Sequence, residues 1–143
     1  MKPSCSVVTV ALAMAGLSGP AAAQYITLDE LKSKNPARLD KSAVEALVTG
    51  ATSESLSRKG SKRSLQNMTG GRLVGSVHGN FNRGAGTSAE GKWRVEGDRY
   101  CVDIAWTGNT YTGAEKWCAP IMKTRDDYYF MFSKDATKVS FTK

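Results

Sequence analysis

The side chains that could carry out catalysis are few in this chain, and they lack the spacing of a triad or a metal site. His78 is the single histidine among 143 residues, so any Ser–His–acid triad would have to be built around it. No serine lies in the Gly-x-Ser-x-Gly pattern of a nucleophile elbow, and one histidine is too few for a typical zinc site. We therefore predict no catalytic residue, no bound metal and no cofactor.

Paired carboxylates are the remaining arrangement that could support an enzyme, as they do in glycoside hydrolases. Seven acidic side chains fall where strands and turns are predicted, and each also fits a hairpin turn or a cross-strand partner of Lys or Arg. A hydrolase that uses two of them is kept as an alternative function. The seven are Glu90, Glu96, Asp98, Asp103, Glu115, Asp126 and Asp127.

The first 23 residues have the features of a signal peptide. Lys2 supplies a basic start, Val7–Leu17 is apolar, and Ala21–Ala23 forms an A-x-A cleavage site. The apolar stretch is shorter than the ~20 residues that span a bilayer. We expect cleavage after this site, no transmembrane segment afterwards, and a protein that is periplasmic or secreted.

The cysteines agree with export. Cleavage would remove Cys5 and leave Cys101 and Cys118, an even pair in an oxidising compartment. Their spacing differs from the C-x-x-C motif of redox enzymes, which argues against an oxidoreductase. We predict a structural disulfide between Cys101 and Cys118.

The positive charge of the chain is concentrated in one segment. The formal net charge is +7, and no acidic residue occurs between Ser55 and Ala89. A hairpin predicted in this segment has a basic tip, which could contact an anionic envelope component or an acidic protein. Nucleic acid is not expected as a partner of an exported chain. The basic tip consists of Arg58, Lys59, Lys62 and Arg63.

Two further places are candidates for contact with a partner. Phe81 and Arg83 lie in a stretch rich in Gly and Asn, which predicts a loop, and loops on rigid scaffolds often carry binding residues. Trp106 lies just before a Thr-Gly-Asn turn sequence and is expected to be an exposed aromatic. Together with the basic tip, these residues favour a non-catalytic binding or inhibitor-like module whose partner is unknown.

Two short helices are predicted ahead of the strands. Thr27 and Glu30 have the spacing of a capping box and begin the first helix. Asp40 has the position of an N-cap for a second helix over 41–48, which Gly50 would end. Residues 24–50 should therefore form a helical arm.

Beyond position 50 the apolar residues alternate with a period of two, which indicates β-strands. Turn residues separate short segments at nearly even spacing, a pattern typical of an antiparallel meander. We predict a mainly β fold in which seven or eight strands over 51–143 form a curled sheet or small barrel, with 24–143 as one folded unit. The segments are 52–57, 62–68, 72–78, 90–96, 99–106, 114–122, 128–133 and 138–142.

Three predicted hairpins agree on which face of the sheet is apolar. A turn at 97–98, a direct pairing of the two cysteines and a turn at 125–126 each fix the residues that lie opposite one another. We interpret the shared face as the core. An apolar pocket in a lipocalin-like or half-open barrel, and thus a small hydrophobic-ligand carrier, is the second alternative. The face comprises Trp93, Val95, Tyr100, Val102, Ile104, Trp117, Ile121, Tyr128, Phe130 and Phe132.

The same motifs carry a family resemblance. The core motif contains Gly91, Trp93, Val95, Asp98, Cys101 and Cys118, and the helical opening contains Leu39, Leu47 and Gly50. Over nearly the whole mature chain, this sequence resembles the small exported proteobacterial proteins grouped as domain of unknown function 995. The resemblance implies a single domain with a disulfide, and it implies no activity, cofactor or catalytic residue.

Overall fold

The computed structural model describes residues 24–57, 60–78, 87–108 and 112–143. Two helices and ten strands follow one another within these ranges. The N-terminal arm contains β1 (Tyr25–Thr27), α1 (Leu28–Ser33), β2 (Ala37–Arg38) and α2 (Lys41–Val48). The remaining strands are β3 (Thr52–Leu56), β4 (Lys62–Asn67), β5 (Arg72–His78), β6 (Thr87–Glu96), β7 (Arg99–Thr107), β8 (Gly113–Lys123), β9 (Tyr128–Met131) and β10 (Asp135–Thr142).

Strands β3 to β10 form a closed antiparallel barrel in which each strand pairs with the next along the chain. The barrel closes where β10 pairs with both β3 and β9. The predicted mainly β fold is confirmed, in its small-barrel form. The two short strands of the arm were not predicted: β1 pairs with β10, and β2 pairs with the end of β8. Closure leaves the barrel without the unpaired edges that an open sheet would have.

The predicted strand pairings are confirmed across β6–β7, β7–β8 and β8–β9. A two-residue turn joins the first of these pairs, and Gly97 in it adopts a φ of +59°, which favours glycine. Because side chains alternate between the two faces of a strand, the predicted apolar face points into the barrel. Every predicted member of that face lies in the main buried cluster or packs against it.

Both helices begin at the predicted caps. The Thr27 hydroxyl accepts a bond from the amide of Glu30, whose carboxylate accepts one from the Thr27 amide at 2.7 Å. Asp40 Oδ1 accepts a bond from the amide of Ala43 and caps α2, which has the predicted bounds. The described part of the chain contains no helix with the length and hydropathy of a membrane span.

Helix α2 closes one end of the barrel. Val44 and Val48 are fully buried in the main apolar cluster. Asn67, at the last position of β4, donates through its side-chain amide to the carbonyl of Val48 at 2.9 Å. The Tyr100 hydroxyl donates to Asn67 Oδ1 at 2.7 Å. This end is therefore sealed by apolar packing together with a buried hydrogen-bond network.

The N-terminal arm also covers part of the outer face of the barrel. Ile26 and Leu31 are buried in a second, smaller cluster that includes Tyr129 of β9. Further along the arm, Arg38 Nε lies 2.6 Å from Asp98 Oδ2 at the β6–β7 turn. The arm predicted over 24–50 therefore packs onto the barrel at more than one point.

The predicted disulfide is confirmed. Cys101 and Cys118 lie directly opposite each other on β7 and β8, with Cα atoms 4.0 Å apart and their sulfurs bonded. Both alternate with inward-facing residues, so the bond lies on the side of the sheet away from the core side chains.

Removing the disulfide should weaken the fold. The bond joins residues 17 apart, so replacing both cysteines by serine should lower the free energy of unfolding by ~3 kcal/mol through the added freedom of the unfolded chain. Urea unfolding of the oxidised protein and of the Cys101→Ser/Cys118→Ser variant measures the difference. Reduced wild-type protein is the matched control and should unfold at the same urea concentration as the variant. Equal midpoints for all three proteins would contradict the prediction.

Candidate ligand-binding site

The end of the barrel away from α2 holds a half-enclosed pocket of about 350 Å³. It lies where β3 ends and where β4, β8 and β10 begin, whereas α2 packs at the other ends of these strands. Its volume is at the lower end of the range of small-molecule sites. We call it the mouth pocket, and its lining includes Ser55, Arg63, Glu115, Trp117, Phe132 and Asp135.

Two kinds of side chain line the mouth pocket. Ser53, Ser55 and Ser57 follow one another at alternate positions along β3 and just beyond it. Trp117 and Phe132 supply aromatic surface, with their ring centroids 5.6 Å apart and their planes nearly perpendicular. Sites for small amphipathic molecules combine apolar surface with a few hydrogen-bonding groups in this way.

A charged pair and two tryptophans contact one another at this end of the barrel. We call them the Arg63–Glu115 cluster, which consists of Arg63, Glu115, Trp106 and Trp117. Arg63 donates from Nη2 to Glu115 Oε1 at 2.7 Å, and its guanidinium carbon lies 4.9 Å from the centroid of the Trp106 ring. The indole of Trp117 donates to Glu115 Oε1 at 2.7 Å, and that of Trp106 donates to Oε2 at 3.0 Å. Both oxygens of the carboxylate are therefore used as acceptors, and the guanidinium is fixed by a charge and by a ring.

The surroundings of Glu115 keep its carboxyl ionised. Burial acts to raise its pKa, but the hydrogen bond and charge of Arg63, together with the two indole N–H groups, hold that pKa below its usual value. A general acid in a hydrolase needs the opposite, a raised pKa that keeps its proton near neutral pH. The cluster is therefore suited to fixing geometry in the mouth pocket and poorly suited to proton transfer.

The predicted basic tip is divided by the alternation of β4. Lys62 faces outward and its Nζ lies 2.9 Å from a carboxylate oxygen of Glu54. Arg63 lines the mouth pocket inside the barrel. Arg58 and Lys59 lie outside the described residues. The two described members of the tip thus both have a carboxylate partner.

The expectation that Trp106 is exposed was wrong, because only 2% of its surface is exposed. Trp106 lies on β7 at an inward-facing position, two residues beyond the buried Ile104. Gly75 on β5 makes room for the indole, since a Cβ there would lie 3.2 Å from the Trp106 ring. Its role is to hold Arg63 and Glu115 from within. The other two predicted contact residues, Phe81 and Arg83, lie outside the described residues.

Most of the seven acidic candidates are held by nearby cations among the described residues. Glu115 bonds to Arg63 within the barrel, as described above. The others lie on outward-facing strand positions and in turns, where cross-strand and local partners are expected. The remaining ion pairs are Arg72–Glu90, Arg94–Glu96, Arg38–Asp98, Lys116–Asp103 and Lys138–Asp127.

One group of metal-ligand types occurs in the described ranges. Glu96 and the two cysteines have ligand atoms within 4.8 Å of one another. Because the sulfurs of Cys101 and Cys118 are bonded to each other, they are not thiolates that could bind a metal. His78 ends β5 and lies opposite Lys62 on β4, near the start of β6, whereas Glu96 lies at the other end of β6.

Arg63 and Glu115 were not predicted as inward-facing, although the sequence carries a signal for it. Arg63 comes two residues before Leu65, and Glu115 comes two residues before Trp117. In a strand, residues two apart share a face, so each charged residue had to share the face of its apolar neighbour. The charge of Arg63 and Glu115 alone would place their side chains on the outer surface. The alternation of side chains along the strand instead places them inside the barrel.

No protein family, curated protein or solved structure matches this chain. A fold of this kind supports many functions. The function must therefore be inferred from the mouth pocket and its chemistry.

Proposed function

We propose that the chain is an exported, non-catalytic binding module that holds a small amphipathic molecule in the mouth pocket. The observation that carries this proposal is the difference between the two ends of the barrel. Helix α2 and the apolar core fill one end, whereas the other keeps a pocket of about 350 Å³ between serine hydroxyls and aromatic rings. A pocket that is open at one end and already formed is the usual site of ligand binding in small barrels.

The alternative functions have less support from the same contacts. A hydrolase would need a carboxyl that can give up a proton, whereas Glu115 is held ionised by Arg63 and two indoles. Binding of an anionic surface through the basic tip would need free cations, whereas the two members of the tip that the structure describes, Lys62 and Arg63, each lie beside a carboxylate. The carrier alternative fits best, with the ligand held at the mouth of the barrel.

The proposed export and family membership rest on separate features. A disulfide is typical of oxidising compartments, so the Cys101–Cys118 bond supports a periplasmic or secreted location. The predicted signal peptide over 1–23 supports the same location and lies outside the described residues. Membership in domain of unknown function 995 is likewise proposed, on the Gly91-x-Trp93 motif and the two cysteines.

A residue that fills the mouth pocket should reduce ligand binding. Ser55 lines the pocket on β3, and Ser55→Phe would place a ring in the space that the ligand needs. We expect this variant to bind the neutral fluorescent dye N-phenylnaphthylamine at least about tenfold more weakly, which corresponds to ~1.4 kcal/mol of binding free energy. Titration of the dye, followed by its fluorescence, gives the dissociation constants.

The matched control places the same ring on the outside. Ser140 lies on the neighbouring strand β10, is exposed, and faces away from the mouth pocket opposite Glu54. Ser140→Phe should bind the dye as the wild type does. Binding that is equally strong in all three proteins, or absent from the wild type, would overturn the proposed function.

A further inference from the structure

We infer that the mouth pocket selects uncharged ring-bearing ligands over anionic ones, because the one cation among its described lining residues is already paired with a carboxylate. This inference rests on the proposed function and adds the chemical class of the ligand. It concerns the four residues of the Arg63–Glu115 cluster and the other charged residue of the described lining, Asp135.

The charges of the lining do not favour an anion. Arg63 is the positive residue among the described lining residues, and Glu115 and Asp135 are the negative ones. The Arg63 guanidinium is 2.7 Å from the Glu115 carboxylate and is packed on the Trp106 ring, so it cannot turn toward a ligand without giving up both contacts. An anion that entered would lose its hydration, and the cation it would meet among the described lining residues is already paired with Glu115.

An uncharged ring meets no such penalty. Trp117, Phe130 and Phe132 line the mouth pocket and present aromatic surface against which a ring can pack. The bond to Glu115 uses one of the five N–H donors of the Arg63 guanidinium, so a neutral oxygen that approaches the guanidinium in its fixed position can accept from another. Ser55 lines the same space with a hydroxyl. The lining thus offers apolar contact and neutral hydrogen bonding together.

Two dyes that share one ring system test the inference. N-phenylnaphthylamine is uncharged, and anilinonaphthalene sulfonate is the same molecule with a sulfonate added. Fluorescence titration of the wild type should give a dissociation constant for the neutral dye at least about tenfold lower than for the anionic one. The reason is that placing the sulfonate near a partly buried carboxylate costs free energy. The ratio of the two dissociation constants is the readout. A general loosening of the barrel would strengthen the binding of both dyes and leave this ratio unchanged.

Glu115→Gln should change that ratio. Glutamine keeps one acceptor oxygen, which can serve the indole of Trp117 or that of Trp106 but not both, and it leaves the Arg63 charge without the carboxylate that compensates it. We expect the preference for the neutral dye to fall at least about tenfold, through tighter binding of the sulfonate. Glu54→Gln is the matched control, since Glu54 pairs with Lys62 on the outer side of the barrel, and its ratio should equal that of the wild type.

The outcomes separate this inference from the proposed function. In one outcome the wild type binds the sulfonate dye as tightly as the neutral dye or more tightly, and Ser55→Phe abolishes that binding. This result would overturn the inference and leave the proposed function standing. A ratio that Glu115→Gln does not alter, or that Glu54→Gln alters equally, would also overturn it. Failure of both dyes to bind the wild type would overturn the proposed function and the inference together.

Discussion

Gly91→Ala is expected to prevent the chain from forming a stable barrel. Gly91 lies opposite Ile104 at the centre of the β6–β7 pair. A Cβ at position 91 would overlap the carbonyl oxygen of Asp103 and would lie 2.7 Å from the Cα of Ile104. Both are backbone atoms, so the two strands would have to separate, and glycine in a strand often marks such a close approach. The expected loss exceeds about 4 kcal/mol of unfolding free energy, beyond most single substitutions.

Urea unfolding of the purified variant, followed by circular dichroism, measures this loss. A variant that yields no folded protein would show the same loss. Gly97→Ala is the control in the same hairpin. A Cβ at position 97 would meet nothing within 4 Å, but the residue has a φ of +59°. Its cost should be only about 1 kcal/mol, from the left-handed conformation. A Gly91→Ala protein as stable as the Gly97→Ala protein would show that the strands can move apart freely.

The strands and their pairing were predictable because the signals for them are local. Each turn has its own glycine or polar pair, and the alternation within each segment fixes which side chains face the core. Gly97-Asp98 alone sets the register of β6 and β7. That register puts Cys101 on the face opposite the core side chains, and the disulfide extends it to β8. Errors did not accumulate along the sheet, because each hairpin provides an independent check.

The closure of the barrel and its additional strands depend on contacts between distant parts of the chain. Closure requires β10 to pair with β3. In that pair Phe141 lies opposite Ser53, which is 88 positions earlier in the sequence. Strands β1 and β2 have only three and two residues, too few to show an alternation. They become strands because β10 and β8 offer them partners. Local sequence carries no signal for pairing of this kind.

The charged part of the mouth pocket's lining was missed for a different reason, which concerns the placement of charged residues. Arginine and glutamate in a strand are usually taken to face water, since burying a single charge is costly. Arg63 and Glu115 face inward because each supplies the partner that the other needs, and two indoles satisfy the remaining demand of the carboxylate. Sequence alone does not reveal that these residues meet, because β4 and β8 are separated in the sheet by three other strands.

The other end of the barrel depends on one buried amide, and Asn67→Ala should destabilise the fold by about 3 kcal/mol. Asn67 is 1% exposed, donates to the carbonyl of Val48 and accepts from the hydroxyl of Tyr100. Alanine would leave the buried Tyr100 hydroxyl without its acceptor, and the Val48 carbonyl would keep only the amide of Ala51 as a donor. Burial raises the pKa of Tyr100, so its hydroxyl keeps its proton and continues to require an acceptor. Urea unfolding at neutral pH measures the loss.

A double-mutant cycle separates this network from the packing of α2. Tyr100→Phe removes only the hydroxyl, and it should cost about 1–2 kcal/mol because Asn67 Oδ1 then lacks its donor. The Asn67→Ala/Tyr100→Phe protein lacks both partners of this hydrogen bond, so neither is left behind without the other. Its loss of unfolding free energy should therefore be at least about 0.5 kcal/mol smaller than the sum of the two single losses. Strict additivity would mean that the two side chains act independently. In that case the hydrogen bond between Asn67 and Tyr100 would add nothing to the stability that the packing of Val44 and Val48 provides at this end.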